Sequence, residues 1–363
     1  MDEDKTYNLK AYEDVISKPV VDLRALRNLS WNGIPDMYRP LAWKILLGYL
    51  PANSSRRAST LNRKRKEYHS FSKHHLTPDS VSNHDREILR QGQMDIPRTA
   101  SDITLIQNKR VQSCLEKLLF TFAMRHPASS YVQGMNDLAT PFFIVFLKEC
   151  FKNGVTGMDD ISDDVLADIE ADSYWCLVKL LSGIQDHYTP DQPGIQRMTF
   201  RLEELMKRVD CDLCSYLNEK GIEMMHFSFK WMSCYFVREL PLRSVIRLWD
   251  TYLSEEGNNG FDNFHIYVCA ALLSHFSQQL RAMDFDTLHY FLQKLPINDW
   301  SNGQVEDVLS KAFVMQHALE QYLALVTAPK PPTKNIVSTR PKIFAIFEAG
   351  CPSNWEYDYY VDH

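Results

Sequence analysis

Apolar side chains recur at a helical spacing along most of the chain. One segment places four of them at positions i, i+3, i+4 and i+7: Trp43, Leu46, Leu47 and Leu50. This spacing puts the four side chains on one face and predicts an amphipathic helix. Similar patterns recur in four later segments: 111–122, 165–181, 202–209 and 268–276. Alternating runs that would indicate strands are scarce, so the sequence predicts an all-α, multi-helical fold with no substantial β-sheet.

The helical pattern stops near the C-terminal end. Residues 328–334 read APKPPTK, and their three prolines are incompatible with a continuing helix. The following residues, up to His363, are aromatic and irregular in pattern. We therefore predict one helical domain over residues 1–327, with two helical lobes as an option, and a C-terminal appendage over residues 328–363.

Composition and charge narrow the class of protein. The 363 residues are 45% hydrophobic and 24% charged, as expected for a globular chain with a sizeable core. The net charge of −6 provides no basic excess of the kind that nucleic-acid binding requires. The longest apolar run, residues 138–147, is about half the length that spans a bilayer. With its polar, acidic start, the sequence is expected to be cytoplasmic, with no transmembrane segment and no nucleic-acid partner.

Cysteine spacing gives little reason to expect a metal. Cys211 and Cys214 form one CxxC pair, but a zinc site normally needs a second pair or a spaced histidine pair. Packing is therefore the favoured role of these cysteines, and no metal site is predicted.

Residues 95–99, which read DIPRT, place an arginine in an unusual backbone context. Gly92 is expected to end the preceding helix, and Pro97 disfavours the helical conformation at Ile96. Arg98 should therefore lie on extended backbone or in a turn, where its planar guanidinium could bind phosphate oxygens. An ordinary surface ion pair with Asp95 is the alternative.

Residues 131–137, which read YVQGMND, place a glutamine before a glycine in a similar break. Gln133 could orient a water molecule through its amide, or it could simply cap the next helix. A helix over roughly 107–125 would be about 28 Å long, and the nine residues between Arg98 and that helix can span up to about 30 Å. The chain can therefore bring Arg98 beside Gln133, although spacing alone does not require it.

Short motifs in this order resemble those of a known family. Residues 39–43 read RPLAW, residues 95–99 read DIPRT and residues 131–138 read YVQGMNDL. They resemble the RxxxW, IxxDxxRT and YxQ motifs of the TBC-domain GTPase-activating proteins, which act on Rab GTPases. Further matches, such as RLWDTYL at 247–253, extend the likeness over roughly residues 10–325. Within this family the chain is most similar to the Golgi-associated branch.

The resemblance implies a function and a mechanism. Arg98 would be an arginine finger that enters the nucleotide site of a GTP-bound Rab, and Gln133 would be a glutamine finger that orients the attacking water. The protein would then be an enzyme only in the sense of a GTPase activator. GTP and Mg²⁺ would belong to the Rab, so no cofactor of its own is expected. A cytoplasmic location, peripheral at Golgi or vesicle membranes, follows from the same resemblance.

Six more residues are expected from the resemblance to support the two fingers: Asp95, Thr99, Tyr131, Arg39, Trp43 and Asp137. Asp95 and Thr99 would hold the Arg98 segment, while Arg39 and Trp43 would buttress it from behind.

Some features depart from the family pattern or leave alternatives open. Gly92 stands where IxxDxxRT has an apolar residue, which weakens the expected support of the Arg98 segment. Ser59 follows Arg56 and Arg57 in a stretch that resembles a site for a basophilic kinase. Asp250 is expected to satisfy buried polar groups.

The alternative functions are a non-catalytic Rab-binding module and a helical adaptor that binds peptides.

Overall fold

The computed structural model describes residues 2–75, 83–101, 103–151, 157–257 and 259–327. The predicted appendage, 328–363, lies outside these residues. Sixteen α-helices are described: α1 Asp2–Ile16, α2 Leu23–Ser30, α3 Arg39–Leu46, α4 Arg57–His75, α5 Asn83–Asp95, α6 Thr104–Gln107, α7 Lys109–Arg125, α8 Met135–Phe151, α9 Asp163–Gly183, α10 Pro193–Val209, α11 Cys211–Glu219, α12 Met224–Cys234, α13 Leu242–Ser254, α14 His265–Leu280, α15 Phe285–Gln293 and α16 Asn302–Thr327.

The predicted all-α class is confirmed within the described residues. Short 3₁₀ turns and one π-helical turn connect some of the helices. The described part of the chain contains no β-strand, only an isolated bridge between Val20 and Asn53. None of the described helices combines the length and the apolar character needed to cross a bilayer.

Helix α8 runs through the interior of the fold. Every residue from Met135 to Leu147 is buried, so this helix has no solvent-facing side over most of its length. Its Phe142 ring lies 5.7 Å from Trp43 of α3 and 5.5 Å from Trp249 of α13, measured between ring centroids. Aromatic contacts of this kind contribute about 0.5–1.5 kcal/mol each beyond the area they bury. The N-terminal end of α8, which follows Gln133, is therefore anchored to the core.

A buried carboxylate joins α3 to α13 beside this aromatic cluster. Asp250 is fully buried and accepts hydrogen bonds from Arg39 Nε at 3.1 Å, Trp43 Nε1 at 2.7 Å and the Ile34 amide at 2.9 Å. Burial raises the pKa of Asp250, and the Arg39 guanidinium opposes that rise. Removal of one partner from a buried ion pair is strongly destabilising. As expected from the sequence, Asp250 satisfies buried polar groups.

The basic stretch around residues 56–73 has a structural role. It forms most of α4, where Arg65 donates to Asp172 of α9 at 2.8 and 2.9 Å. Lys44 also donates to Asp172, at 2.6 Å. Burial by itself raises the pKa of Asp172, but Arg65 and Lys44 outweigh it and hold the pKa below its ordinary value. Asp172 therefore neutralises part of the positive charge of α4 inside the protein.

Candidate functional site

The Arg98 segment begins where a helix ends. Helix α5 continues through Gly92 to Asp95, and a 3₁₀ turn over Ile96–Arg98 follows. The prediction that Gly92 ends the helix is therefore wrong. Helix α5 packs against α7, and such packing can outweigh the roughly 1 kcal/mol cost of an interior glycine. The α-helix ends instead at Asp95, because Pro97 lacks the N–H that would continue the α-helical hydrogen bonding.

Arg98 is exposed at the end of this turn. Within the part of the chain that the structure describes, its guanidinium makes no hydrogen bond or ion pair. The alternative ion pair with Asp95 does not form, because that carboxylate lies 2.9 Å from the Tyr131 hydroxyl, which can donate to it. The guanidinium donors are therefore available to an external ligand.

The Gln133 segment is a tight turn that leads into α8. Ser130 has φ +52° and Gly134 has φ +107°. A side chain at Gly134 would also place its Cβ 3.3 Å from Cys234 Sγ, so both backbone conformation and space favour glycine there. Gln133 is exposed, and its amide has no hydrogen-bond partner among the described residues. It therefore does not cap α8 through its side chain.

One buried asparagine joins the two segments. Asn136 Nδ2 donates to Thr99 Oγ1 at 2.7 Å, and Asn136 Oδ1 accepts from the Gly134 amide at 3.0 Å. The Tyr131 hydroxyl lies 3.2 Å from the same Oδ1 and 2.9 Å from Asp95 Oδ2. Thr99 Oγ1 in turn donates to the Asp95 carbonyl at 3.0 Å. This network places Asp95, Thr99 and Tyr131 together and makes one unit of the two loops that carry Arg98 and Gln133.

The same network affects the acid–base properties of Tyr131. Burial, followed by the negative charge of Asp95, raises the pKa of Tyr131 well above its ordinary value. The hydroxyl therefore stays protonated at neutral pH and can act as a hydrogen-bond donor. Thr99 and Asn136 are only 3% and 4% exposed, so water competes little for the bonds between the two segments.

Asp137 supports the glutamine segment from another direction. Its carboxylate accepts from Arg238 Nε and Nη2, both at 2.7 Å, and lies 3.8 Å from Cys234 Sγ. Burial raises the pKa of Asp137, and Arg238 opposes that rise. This acid lies in the first turn of α8, where the helix dipole favours a negative charge. Asp137 thus ties the start of α8 to the chain that follows α12.

The hydrogen bonds of Arg39 and Trp43 do not lead to the Arg98 segment. Their hydrogen bonds lead to Asp250, and the Trp43 ring packs on Phe142 of α8. Any support they give to the two fingers would pass through α8, and a direct buttress of the Arg98 segment stays a prediction.

Sequence reasoning missed Asn136 and Arg238. The signal for Asn136 was a polar residue in the first turn of a mostly apolar helix, two positions after Gly134. Arg238 gave no comparable signal, because it lies 101 residues from its partner Asp137.

The arrangement offers two exposed polar groups on one pair of joined loops. A guanidinium can donate several hydrogen bonds to phosphate oxygens, and a carboxamide can both donate to and accept from a water molecule. Among the described residues, no group of three or more His, Cys, Asp or Glu side chains could hold a metal ion. The chemistry available here is charge stabilisation and positioning.

Comparisons with known proteins identify the family of the chain. Residues 36–281 match the family described as the Rab-GTPase-TBC domain. The chain is 47% identical over 316 residues to GTPase-activating protein gyp1 of Schizosaccharomyces pombe, with 84% of this chain and 60% of the relative covered. It is 45% identical over 312 residues to human TBC1 domain family member 22B, with 85% and 61% covered.

A solved structure shows the same fold. The crystal structure of the Ypt/Rab-GAP domain of Gyp1p superposes with a TM-score of 0.81 at 41% identity, and covers 86% of this chain and 99% of that one. The chain spans about 60% of the length of the first two curated relatives. By the family match and these relatives, the chain belongs to the Rab-GTPase-TBC domain family.

Proposed function

We propose that this protein stimulates GTP hydrolysis by a Rab-family GTPase. The observation that supports this most strongly is the pairing of Arg98 and Gln133. Both side chains are exposed and lack partners among the described residues, yet their segments are joined by buried hydrogen bonds through Asn136. An adaptor that only binds peptides has no need of two unpartnered polar groups on loops fixed in this way.

In this proposal Arg98 acts on the charge that builds up during hydrolysis. Phosphoryl transfer to water is largely dissociative, and negative charge spreads over the phosphate oxygens in the transition state. The Arg98 guanidinium enters the nucleotide site of the GTP-bound Rab and donates hydrogen bonds to those oxygens. An arginine supplied in this way raises the rate on the order of 10³–10⁵-fold, which corresponds to roughly 4–7 kcal/mol of transition-state stabilisation.

Gln133 orients the attacking water. Its amide accepts from the water and donates to a phosphate oxygen, so that the water lies in line with the bond that breaks. GTP and Mg²⁺ come with the Rab, and this chain contributes no nucleophile of its own.

Rigid loops are essential to this mechanism. Misplacement of a catalytic group by about 1 Å can cost on the order of 10²-fold in rate. The contacts of Thr99, Tyr131 and Asn136 hold both finger segments before the Rab arrives. Less ordering is then needed when the two proteins bind.

Single-turnover GTP hydrolysis, measured across a panel of purified Rab proteins, tests the proposal. The intact protein should accelerate at least one Rab, and Arg98→Ala should lose on the order of 10³-fold or more of that stimulation. Arg98→Lys should also lose most of it, because lysine keeps the charge but lacks the planar fork. Gln133→Ala should lose most of the stimulation as well.

Matched controls are available on exposed helix faces. Arg90→Ala removes an arginine on α5 that is 72% exposed, and Gln278→Ala removes an exposed glutamine on α14. Both should retain full stimulation and an unchanged melting temperature. If no Rab responds to the intact protein, or if Arg98→Ala retains full activity, the proposal is refuted.

Binding measurements with Rab·GTP and Rab·GDP, made beside the hydrolysis assay, separate the alternatives. A non-catalytic Rab-binding module would bind Rab·GTP in preference to Rab·GDP without accelerating hydrolysis. A helical adaptor would show no preference between nucleotide states.

We further propose, from the sequence resemblance to the Golgi-associated branch, that the protein acts peripherally at Golgi or vesicle membranes. Fluorescence imaging of the tagged full chain would test this location.

A further inference from the structure

A cleft that contains two aromatic rings lies between α2, the C-terminal end of α13 and α16. Its volume is about 590 Å³, and α16 contributes one face to it, at positions 313, 316, 317 and 320. The rings of Trp31 and Phe313 meet in this cleft, with their centroids 5.2 Å apart. Phe313 is still 41% exposed, so part of the apolar surface of the cleft remains open to a further partner.

Two of the three acidic side chains in the cleft accept hydrogen bonds within the fold. Glu255 accepts from Trp31 Nε1 at 3.0 Å, and Glu320 accepts from the amide of a glutamine one turn away at 3.2 Å. The third, Glu256, is 83% exposed and lies 3.9 Å from Arg27 Nη1. An exposed ion pair of this kind contributes little to stability.

The cationic side chains of the cleft retain unused donors. Arg24 is exposed, and its guanidinium makes no hydrogen bond or ion pair among the residues that the structure describes. The Nε atom of Arg27 is buried and has no hydrogen-bond partner there either. A buried donor without an acceptor is unfavourable. The cleft therefore suits a ligand that combines aromatic rings with acceptor oxygens.

One segment of this chain has that composition. Residues 355–362, which read WEYDYYVD, contain four aromatic and three acidic residues and no cation. Aromatic and acidic residues alternate from Trp355 to Tyr359. On an extended backbone this alternation would direct the rings to one side and the carboxylates to the other.

The segment can reach the cleft because it follows α16 along the chain. Helix α16 ends at Thr327, seven residues or roughly 10 Å beyond Glu320 in the cleft. Trp355 follows Thr327 by 28 positions, and a connection of that length can span up to about 90 Å. A ligand on the same chain also has a high effective concentration, so a contact that is weak between separate molecules suffices.

We propose that residues 355–362 bind in this cleft of their own molecule. Their rings pack against Trp31 and Phe313, with the offset or edge-to-face contacts that aromatic pairs prefer. Their carboxylates accept charged hydrogen bonds from Arg24, which has no other partner among the described residues. The bound segment thereby connects α2 to α16.

This proposal is independent of the proposed GTPase stimulation. None of the residues that line the cleft takes part in the hydrogen bonds around Asn136. Either proposal can therefore fail while the other stands.

Photo-cross-linking in the full chain tests where the segment binds. Trp355→benzoylphenylalanine keeps an aromatic side chain at this position and forms a covalent bond to a neighbouring C–H group on irradiation. Mass spectrometry of the digested monomer should find the cross-link on residues 24–31 or 313–320. Gel electrophoresis separates cross-links within one molecule from those between two copies.

Competition with a peptide of residues 350–363 tests the chemistry of the contact. The full-chain variant W355A/Y357A/Y359A removes the rings of the tethered segment, so its cleft should bind the labelled peptide at least tenfold more tightly than the unchanged chain does. Fluorescence anisotropy measures both affinities. R24E, added to this variant, should weaken peptide binding about tenfold or more, since it removes a charged hydrogen bond.

Arg90→Glu, added to the same variant, provides the matched control. Arg90 is 72% exposed on α5, and it does not line the cleft. This substitution changes the net charge as R24E does and should alter peptide affinity less than about twofold, because salt screens distant exposed charges. Circular dichroism melts verify folding, and R24Q replaces R24E if the charge reversal prevents folding.

The outcomes are distinct. Cross-links to the cleft within one molecule, together with peptide binding that R24E weakens and R90E does not, support the proposal. Cross-links to another surface, cross-links only between two copies, equal peptide affinity for the unchanged chain and W355A/Y357A/Y359A, or equal weakening by R24E and R90E would overturn it.

Discussion

Replacement of Asn136 by alanine should separate the two finger segments without touching either finger. The Asn136 amide makes hydrogen bonds to Thr99 and to the Gly134 backbone, and the side chain is almost completely buried. Asn136→Ala would leave the Gly134 N–H without its acceptor, at a cost of about 1–3 kcal/mol. Loss of the link to Thr99 adds about 1 kcal/mol. The free energy of unfolding should therefore fall by roughly 2–4 kcal/mol.

The effect on activity should exceed the effect on Rab binding. Without the asparagine, the 95–99 segment and the 131–134 turn lose the link through Asn136, while the hydrogen bond from Tyr131 to Asp95 remains. A displacement of about 1 Å would lower the maximal rate on the order of 10²-fold. Single-turnover hydrolysis at increasing concentrations of this protein gives the maximal rate and the apparent Rab affinity separately. Urea unfolding gives the free energy.

A control variant tests whether lower stability alone explains the loss of activity. Asn108→Ala removes the N-cap of α7, whose side chain accepts from the Arg110 amide at 2.9 Å, and should cost about 1 kcal/mol. It should leave the maximal rate unchanged. If Asn136→Ala keeps the full maximal rate, or if it loses no more activity than Asn108→Ala at a temperature where both are folded, the link between the fingers is not required.

Two further predictions concern stability. Burial lowers the pKa of His265 to about 3, so between that value and pH 6.5 the unfolded chain binds a proton that the folded chain does not. The free energy of unfolding should therefore fall by about 1.4 kcal/mol per pH unit from this group as pH drops below 6.5, and urea unfolding of His265→Gln should lack this part of the slope. Arg65→Met removes two hydrogen bonds to Asp172 and one to Asp168 while Lys44 remains, and urea unfolding should show a loss of roughly 3–5 kcal/mol.

Helix positions followed from the sequence where a helix buries one face. Residues 111–122 lie within α7, and residues 165–181 lie within α9. Ser162 accepts from the Val165 amide as the N-cap of α9, and the following acids lie in its first turn. Local signals of this kind need no knowledge of the rest of the fold.

The end of α5 could not be predicted in the same way. Glycine tends to end a helix, but the packing of α5 on α7 keeps Gly92 helical. Only the three-dimensional structure reveals that packing. Pro97, which does end the helix, was visible in the sequence. The missing N–H of Pro97 therefore predicted the end of α5 better than the helix-ending tendency of Gly92 did.

The site was predictable only in part for a similar reason. The local backbone context singled out Arg98 and Gln133 but left their role open, and the predicted role came from the family resemblance. Thr99 and Asp137 were expected only from the family resemblance. Their partners Asn136 and Arg238 could not be found, because Asn136 meets Thr99 across 37 positions of sequence and Asp137 meets Arg238 across 101. Periodicity carries no information about which distant polar groups pair.

Arg98 and Gln133 differ from their neighbours in one respect that bears on function. Thr99, Tyr131 and Asn136 are buried and make hydrogen bonds to one another, whereas Arg98 and Gln133 are exposed and make none to the described residues. Exposed groups without partners contribute little to folding. Substitution of either finger should therefore change stability by less than about 0.5 kcal/mol, so that any large loss of GTPase stimulation would report on the reaction itself and not on the fold.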